Sequence, residues 1–209
     1  MSPVTLVRDI AIVIAAFLIG GIPWGVIVAR AAGGPDPRSI GSGRTGGANV
    51  ARALGLRLAV LTGFLDVCKG IAAVLIARAL GAGAAVEIVA ALAAIVGHSR
   101  SPFLGMQGGR GVSAGFGGLL VIQPLVALLI VPVFAVVFLA SRYSSLASLT
   151  GSAAAGLALA AIAAIGSQPP VYYVYAVAGP LLIWLFHYDN IARLVAGTER
   201  RFGSPPAAH

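Results

Sequence analysis

Apolar residues run along this chain in long unbroken blocks, and short polar segments separate them. Continuous blocks of this length predict helices, because a lipid-facing strand would alternate with period two. Seven helices are predicted, over about 10–29, 58–77, 84–96, 112–122, 124–140, 146–165 and 171–186. Residues 112–140 are too many for one ordinary span. Gln123-Pro124 divides them, since proline removes a helix donor and restricts its predecessor. The first block is long for a signal-peptide core and further spans follow, so it reads as a retained helix. Tyr172, Tyr173 and Tyr175 suit an interfacial anchor for the last helix.

Three polar segments stand out: SIGSGRTGGANVARALG at 39–55, GHSRSPFLGMQGGRG at 97–111 and HYDNIARLVAGTERR at 187–201. The first interleaves Gly41, Gly43, Gly46 and Gly47 with Ser39, Ser42, Arg44, Asn49 and Arg52. Glycines let a main chain approach a ligand and expose successive N–H groups. Arginine adds a planar, permanently charged fork suited to phosphate. The second repeats that chemistry with His98, Arg100, Gln107, Gly108, Gly109 and Arg110. Asp66 and Lys69 sit at i and i+3 inside the second block, on one helix face. At membrane depth such groups face the bundle interior, as a structural ion pair or a polar lining.

Composition and charge sharpen this picture. The chain is 59% hydrophobic and 10% charged, where a soluble domain is about a quarter charged. It reads as an all-α integral membrane protein, a single membrane domain over 1–203 with a flexible tail at 204–209. Net charge is +8, and all but one of the fourteen basic residues are Arg. In a membrane chain that excess reads as orientation signal and phosphate or anionic-lipid contact, with no call for nucleic acid. Seven helices put Arg30, Arg38, Arg44, Arg52, Arg57, Arg100, Arg110, Arg142, Arg193, Arg200 and Arg201 on one side, against Arg8 and Arg78 on the other. The N-terminus is then expected outside, and the C-terminus and all three polar segments in the cytoplasm. The single cysteine, Cys68, excludes an intrachain disulfide and a cysteine metal cluster. No acidic pair supports a carboxylate-bound metal, and Gly108-Gly109-Arg110-Gly111 is only superficially like a Walker loop. What the three segments favour is binding of anionic oxygens beside lipid, where orientation and charge stabilisation do the chemistry.

In order and spacing, the segments resemble those of the bacterial acyl-phosphate:glycerol-3-phosphate acyltransferases. Gly41 to Arg52 is similar to that family's G-S-G-N-x-G-A-T-N-V-x-R, with Pro35 to Arg38 before it and Asp66 to Gly70 after it like D-x-x-K-G. Gly97-His98 through Met106 to Ala114 resembles G-H-x-x-P…F-K-G-G-K-G-V-A-T, and His187 to Leu194 resembles H-x-x-N-I-x-R-L. The resemblance implies a seven-helix enzyme in the bacterial plasma membrane with its active site towards the cytoplasm and no cofactor. It implies transfer of a fatty acyl group from acyl phosphate to the 1-hydroxyl of glycerol 3-phosphate, giving lysophosphatidic acid and phosphate. Membrane lipids and the enzyme that makes acyl phosphate are the implied partners. By position, catalytic roles fall on His187, Asn190 and Asn49. Substrate contacts fall on Ser39, Ser42, Gly43, Arg44, Arg52, Lys69, His98, Gly108, Gly109 and Arg110, with the substrate phosphate assisting in place of a protein base.

The chain departs from the pattern at Arg44, where the family has Asn, and at Gly47-Ala48 for Ala-Thr. Gln107 and Arg110 stand for two lysines and Ala114 for a threonine. These changes leave open a second phosphorylated acceptor or a non-catalytic phosphate-binding relative. A small transporter, suggested by Asp66 and Lys69, fits less well with motifs gathered on one face.

Overall fold

The computed structural model describes residues 2–166 and 169–203, so the tail expected at 204–209 lies outside the described residues. Ten α-helices and no strand occur among the described residues. They are α1 (Pro3–Gly21), α2 (Trp24–Ala31), α3 (Gly47–Leu54), α4 (Leu56–Ala79), α5 (Ala84–Ser99), α6 (Val112–Ile122), α7 (Pro124–Ser141), α8 (Ser144–Ala164), α9 (Tyr172–Phe186) and α10 (Tyr188–Val195). α1, α4, α7 and α8, and α5 together with the residues after it to Leu104, are long and apolar enough to cross a membrane, while α6 and α9 are apolar but shorter.

The first apolar block differs from its expected single helix over 10–29. Helix α1 begins earlier because Ser2 Oγ accepts from the Thr5 N–H at 3.2 Å and Pro3 opens the first turn. The block then breaks at Ile22-Pro23, where proline cannot donate to the preceding turn. Carbonyls freed at such a break need donors wherever water is scarce. Ser101 Oγ donates to Gly21 O at 2.6 Å, and Lys69 Nζ to Ile22 O at 2.9 Å. A break in α1 is thus stitched by α4 and by the segment after α5.

Two short helices, α3 and α10, lie inside segments read as polar loops. Each spans eight residues with one face turned inward, Asn49 and Val50 in α3 and Asn190 in α10. Two turns carry too few apolar positions to signal a helix by periodicity.

Helices α4 and α5 form the centre. One apolar cluster joins them to α1 through Ile12, Ala16, Ala73, Ala77, Ala90 and Ala94. A larger one joins them to α6 through α9 around Val74, Ile88, Ile95, Leu119, Val126, Leu159 and Tyr175. Outward faces stay apolar, with Leu125, Leu128, Val136 and Leu139 exposed on α7. Helices α4 and α6 approach through reciprocal glycines. A Cβ on Gly70 would overlap the Ala114 backbone, and one on Gly117 the Val67 carbonyl. Backbones this close gain van der Waals contact that larger residues would forbid. Gly117→Ala is expected to destabilise the bundle by about 1–3 kcal/mol through overpacking, whereas Gly63→Ala, where a Cβ meets nothing, leaves thermal stability unchanged or higher. Equal unfolding midpoints for wild type and Gly117→Ala would show that this crossing is not tightly packed.

Candidate active site

Asn49 builds the first polar segment. Its Nδ2 donates to Pro37 O (2.6 Å), Ile40 O (3.0 Å) and Arg44 O (2.8 Å), and its Oδ1 accepts from Ser42 N (3.1 Å). A buried amide bonded at both ends in this way orders the loop around it. Gly41 and Gly43 take positive φ, 57° and 66°, which the tight path around Asn49 requires. Asn49 was expected to be catalytic; the structure uses both ends of its amide on the main chain, so its place is to hold Ser42 and Arg44 in position.

The second segment is pinned to the end of α5. Gly109 N donates to His98 O at 3.0 Å, and a Cβ on Gly109 would overlap the His98 ring. Gly108 and Gly109 are buried against His98 instead of facing open space, so the expectation that they contact substrate gives way to one of support. Gln107 is exposed, away from the loop's inner side. Arg110 points inward, donating to Phe186 O and forming a two-point pair with Asp189, whose second contact is Nη2 to Oδ2 at 2.7 Å. Arg193 reaches the same carboxylate at 3.2 Å, and these cations hold Asp189 ionised far below the usual carboxylate range, against the opposing effect of its burial.

These parts enclose a polar cavity of about 200 Å3. It collects Ser42, Arg44, Asn49, Arg52, His98, Arg110, His187 and Asn190, eight of the expected residues, from all three polar segments. It leaves out Ser39, whose hydroxyl donates to Asp36 O at 2.8 Å in a surface turn, and Gly43. Lys69 is also outside: its ammonium is buried on Asp66 (2.7 Å) and on the broken end of α1, so it is structural where a substrate contact was expected. The N-termini of α3, α6 and α8 all open on the cavity, through Gly46-Gly47, Val112-Ser113 and Ser144-Ser145. Their unpaired N–H groups and partial positive charge add to the arginines as an anion site.

His187 ends α9, and its Nδ1 lies 2.7 Å from Ile183 O. A carbonyl only accepts, so Nδ1 carries the proton and the other nitrogen, Nε2, keeps a lone pair. Burial pushes the imidazole down to about 4, so it is neutral at pH 7. Asn190 Nδ2 donates to Glu199 Oε1 at 2.7 Å, while its buried Oδ1 has no partner among the described residues. His187 Nε2 therefore keeps an acceptor for a hydroxyl, whereas Asn190 Oδ1 lies buried. Glu199 also accepts from Ser145 Oγ (3.0 Å) and Arg193 Nε (2.8 Å), tying the chain end to α8 and α10. Glu199, Arg193, Arg200, Ser144, Ser145 and Ser148 line the cavity without having been read as site residues. The one signal for Glu199 was an acid set among arginines.

An apolar cavity of about 260 Å3 adjoins the polar one and shares Val112, Ser113, Phe134 and Ser148 with it. Leu119, Leu159 and Tyr175 line it together with the small residues Gly151, Ala155, Gly156 and Gly179. Charge and hydrocarbon surfaces thus meet at one boundary.

A glycerol-3-phosphate acyltransferase family model matches residues 10–197. A glycerol-3-phosphate acyltransferase of Rubrobacter xylanophilus is 42% identical, the match covering 93% of this chain and 96% of that protein. One from Roseiflexus sp. is 41% identical over 94% and 96%. Among solved structures, the glycerol 3-phosphate form of PlsY, an integral membrane glycerol 3-phosphate acyltransferase, is similar with a TM-score of 0.85 and 38% identity over 94% of this chain and 96% of that one. Its lysophosphatidic acid form gives 0.83 and 36%, with the same coverage.

The His187 environment makes a pH prediction. A folded-state value of about 4 against about 6.5 unfolded means that neutral His187 contributes stability present above pH 6.5 and lost as pH falls towards 4. The imidazole signal assigned through His187→Gln should titrate near pH 4 by NMR; a midpoint near 6.5 would mean that the ring is solvated.

Proposed function

Because the chain belongs to the glycerol-3-phosphate acyltransferase family, we propose that it transfers a fatty acyl group from acyl phosphate to the 1-hydroxyl of glycerol 3-phosphate at the boundary of its two cavities. The observation that carries this reading is the junction itself: a guanidinium-lined cavity adjoins an apolar one, and the two share Val112, Ser113, Phe134 and Ser148. The acyl chain takes the apolar side and the phosphates the polar side. Asn190 Nδ2 donates to Glu199, while His187 Nε2 accepts from the acceptor hydroxyl and orients it. Its oxygen forms the new bond to the acyl carbon, the acyl–phosphate C–O bond breaks, and the hydroxyl proton leaves with the released phosphate. His187 is a poor final holder of that proton: its value of about 4 lies below the second ionisation of a phosphate monoester, about 6. Arginines and helix N-termini stabilise the departing phosphate without moving, which is where preorganised charge gives the largest gain in rate.

Purified protein given acyl phosphate should release phosphate only when glycerol 3-phosphate is present, with lysophosphatidic acid appearing in equal amount. Release that ignores the acceptor would mean hydrolysis of acyl phosphate in place of transfer, and none with any phosphorylated polyol would favour a non-catalytic phosphate-binding protein. Arg110→Ala removes a charge-assisted contact worth about 1.5–3 kcal/mol and should lower kcat/KM for the acceptor tenfold or more. Intact transfer in that variant would place the acceptor phosphate elsewhere.

The same reading takes the chain as seven spans in a bacterial plasma membrane, with the N-terminus outside and the cavity towards the cytoplasm. The shorter α6 and α9 count as spans, and the arginine asymmetry supports the orientation. With Cys68 replaced by serine, Ser2→Cys and Ala196→Cys should label from opposite sides of the membrane. Labelling from one side would require an even number of spans.

A further inference from the structure

We propose that Arg44 is a specificity-determining phosphate ligand, which supplies a second guanidinium to the phosphate held by Arg110. This rests on the reading of the cavity as a phosphate site and assigns one of its parts. Arg44 stands where the resembled motif has a neutral Asn, so it brings a charge that the motif residue lacks.

The backbone fixes where that charge goes. Arg44 O is held by Asn49 Nδ2 at 2.8 Å, and the following Thr45 is buried with its carbonyl packed on Gly25. Anchored on both sides, Arg44 lines the polar cavity. Its guanidinium makes no ion pair or hydrogen bond with the described residues, whereas Arg110 and Arg193 share Asp189. It is half-buried, and both its burial and the like charge of Arg110 weigh against its cationic form. Two cations side by side and partly out of water are unfavourable until an anion lies between them. Arg44, Arg52, Arg110, Arg193 and Arg200 line the cavity against only Glu199 and the Asp189 bound to Arg110, so three positive charges stand uncompensated among these groups. One phosphate dianion does not neutralise that; two substrates that each carry a phosphate do. Arg44 faces Arg110 and Asp189, whereas Arg52 faces Arg200 and Glu199, so Arg44 belongs with the Arg110 end.

Either substrate brings the same chemistry, a phosphate group, and kinetics separates the two. The KM for glycerol 3-phosphate at saturating acyl phosphate, and the converse, should be measured for wild type, Arg44→Asn, Arg44→Lys and, as a charge control on an exposed helix start, Arg57→Asn. Arg44→Asn should raise one KM by about tenfold and leave the other within about twofold, with Arg44→Lys between it and wild type. The KM that rises names the phosphate. Inorganic phosphate should also raise the thermal midpoint of the detergent-solubilised wild type more than that of Arg44→Asn. This readout survives even if wild type shows no transfer, so a failed reaction and a failed Arg44 assignment remain distinct. Unchanged KM values together with an unchanged phosphate shift in Arg44→Asn would overturn the proposal. Equal losses in Arg44→Asn and Arg57→Asn would overturn it too, by showing a general effect of net charge.

Discussion

The pairing of Arg110 with Asp189 is the contact on which the polar cavity depends. It joins the loop before α6 to α10, and Arg193 and Glu199 extend it to α8 and the chain end. Separate segments that each carry like charge would repel one another if brought together alone. Asp189 and Glu199 let the arginines of the second and third segments converge, while Arg44, Arg52 and Arg200 form no ion pair among the described residues. An anion site needs that arrangement: enough acid to assemble the cations, and too little to satisfy them.

The apolar bundle supplies the other half of the arrangement. Water is scarce inside it, so each break in a helix must be met by a side chain, and Lys69 and Ser101 do this for α1. With those carbonyls satisfied, α1 can bend, and α2 and the loop around Asn49 can lie across the bundle's polar end. The start of α6 then carries both Arg110, on the phosphate side, and Val112 and Ser113, on the shared wall with the apolar cavity. Esterifying a water-soluble phosphate with a hydrocarbon chain requires such a border.

Much of this was legible in the sequence. The helical class followed from unbroken apolar runs, and the division at Gln123-Pro124 from proline chemistry. The three glycine- and arginine-rich segments pointed to one anion site, and eight residues named from them line one cavity. What remained hidden had physical reasons. Helices α3 and α10 are two turns long, too short to show a period. Asn49 and Lys69 sit inside matched motifs, yet a motif does not say whether a polar group faces the ligand or holds the backbone that does; here both hold the backbone. Glu199 was obscured because its partners, Ser145 and Arg193, are distant or helical neighbours that only the folded chain brings together.

The central claim is that one cavity, walled by the three polar segments and opening on an apolar one, holds the acceptor. Its most direct measurement is a structure of the protein with glycerol 3-phosphate bound. The account predicts phosphate oxygens within hydrogen-bonding distance, about 2.7–3.2 Å, of Arg110 or Arg52, and the 1-hydroxyl towards His187 and Asn190. A phosphate bound instead at Ser39 or in the surface turn around Asp36, with the cavity unoccupied, would contradict it.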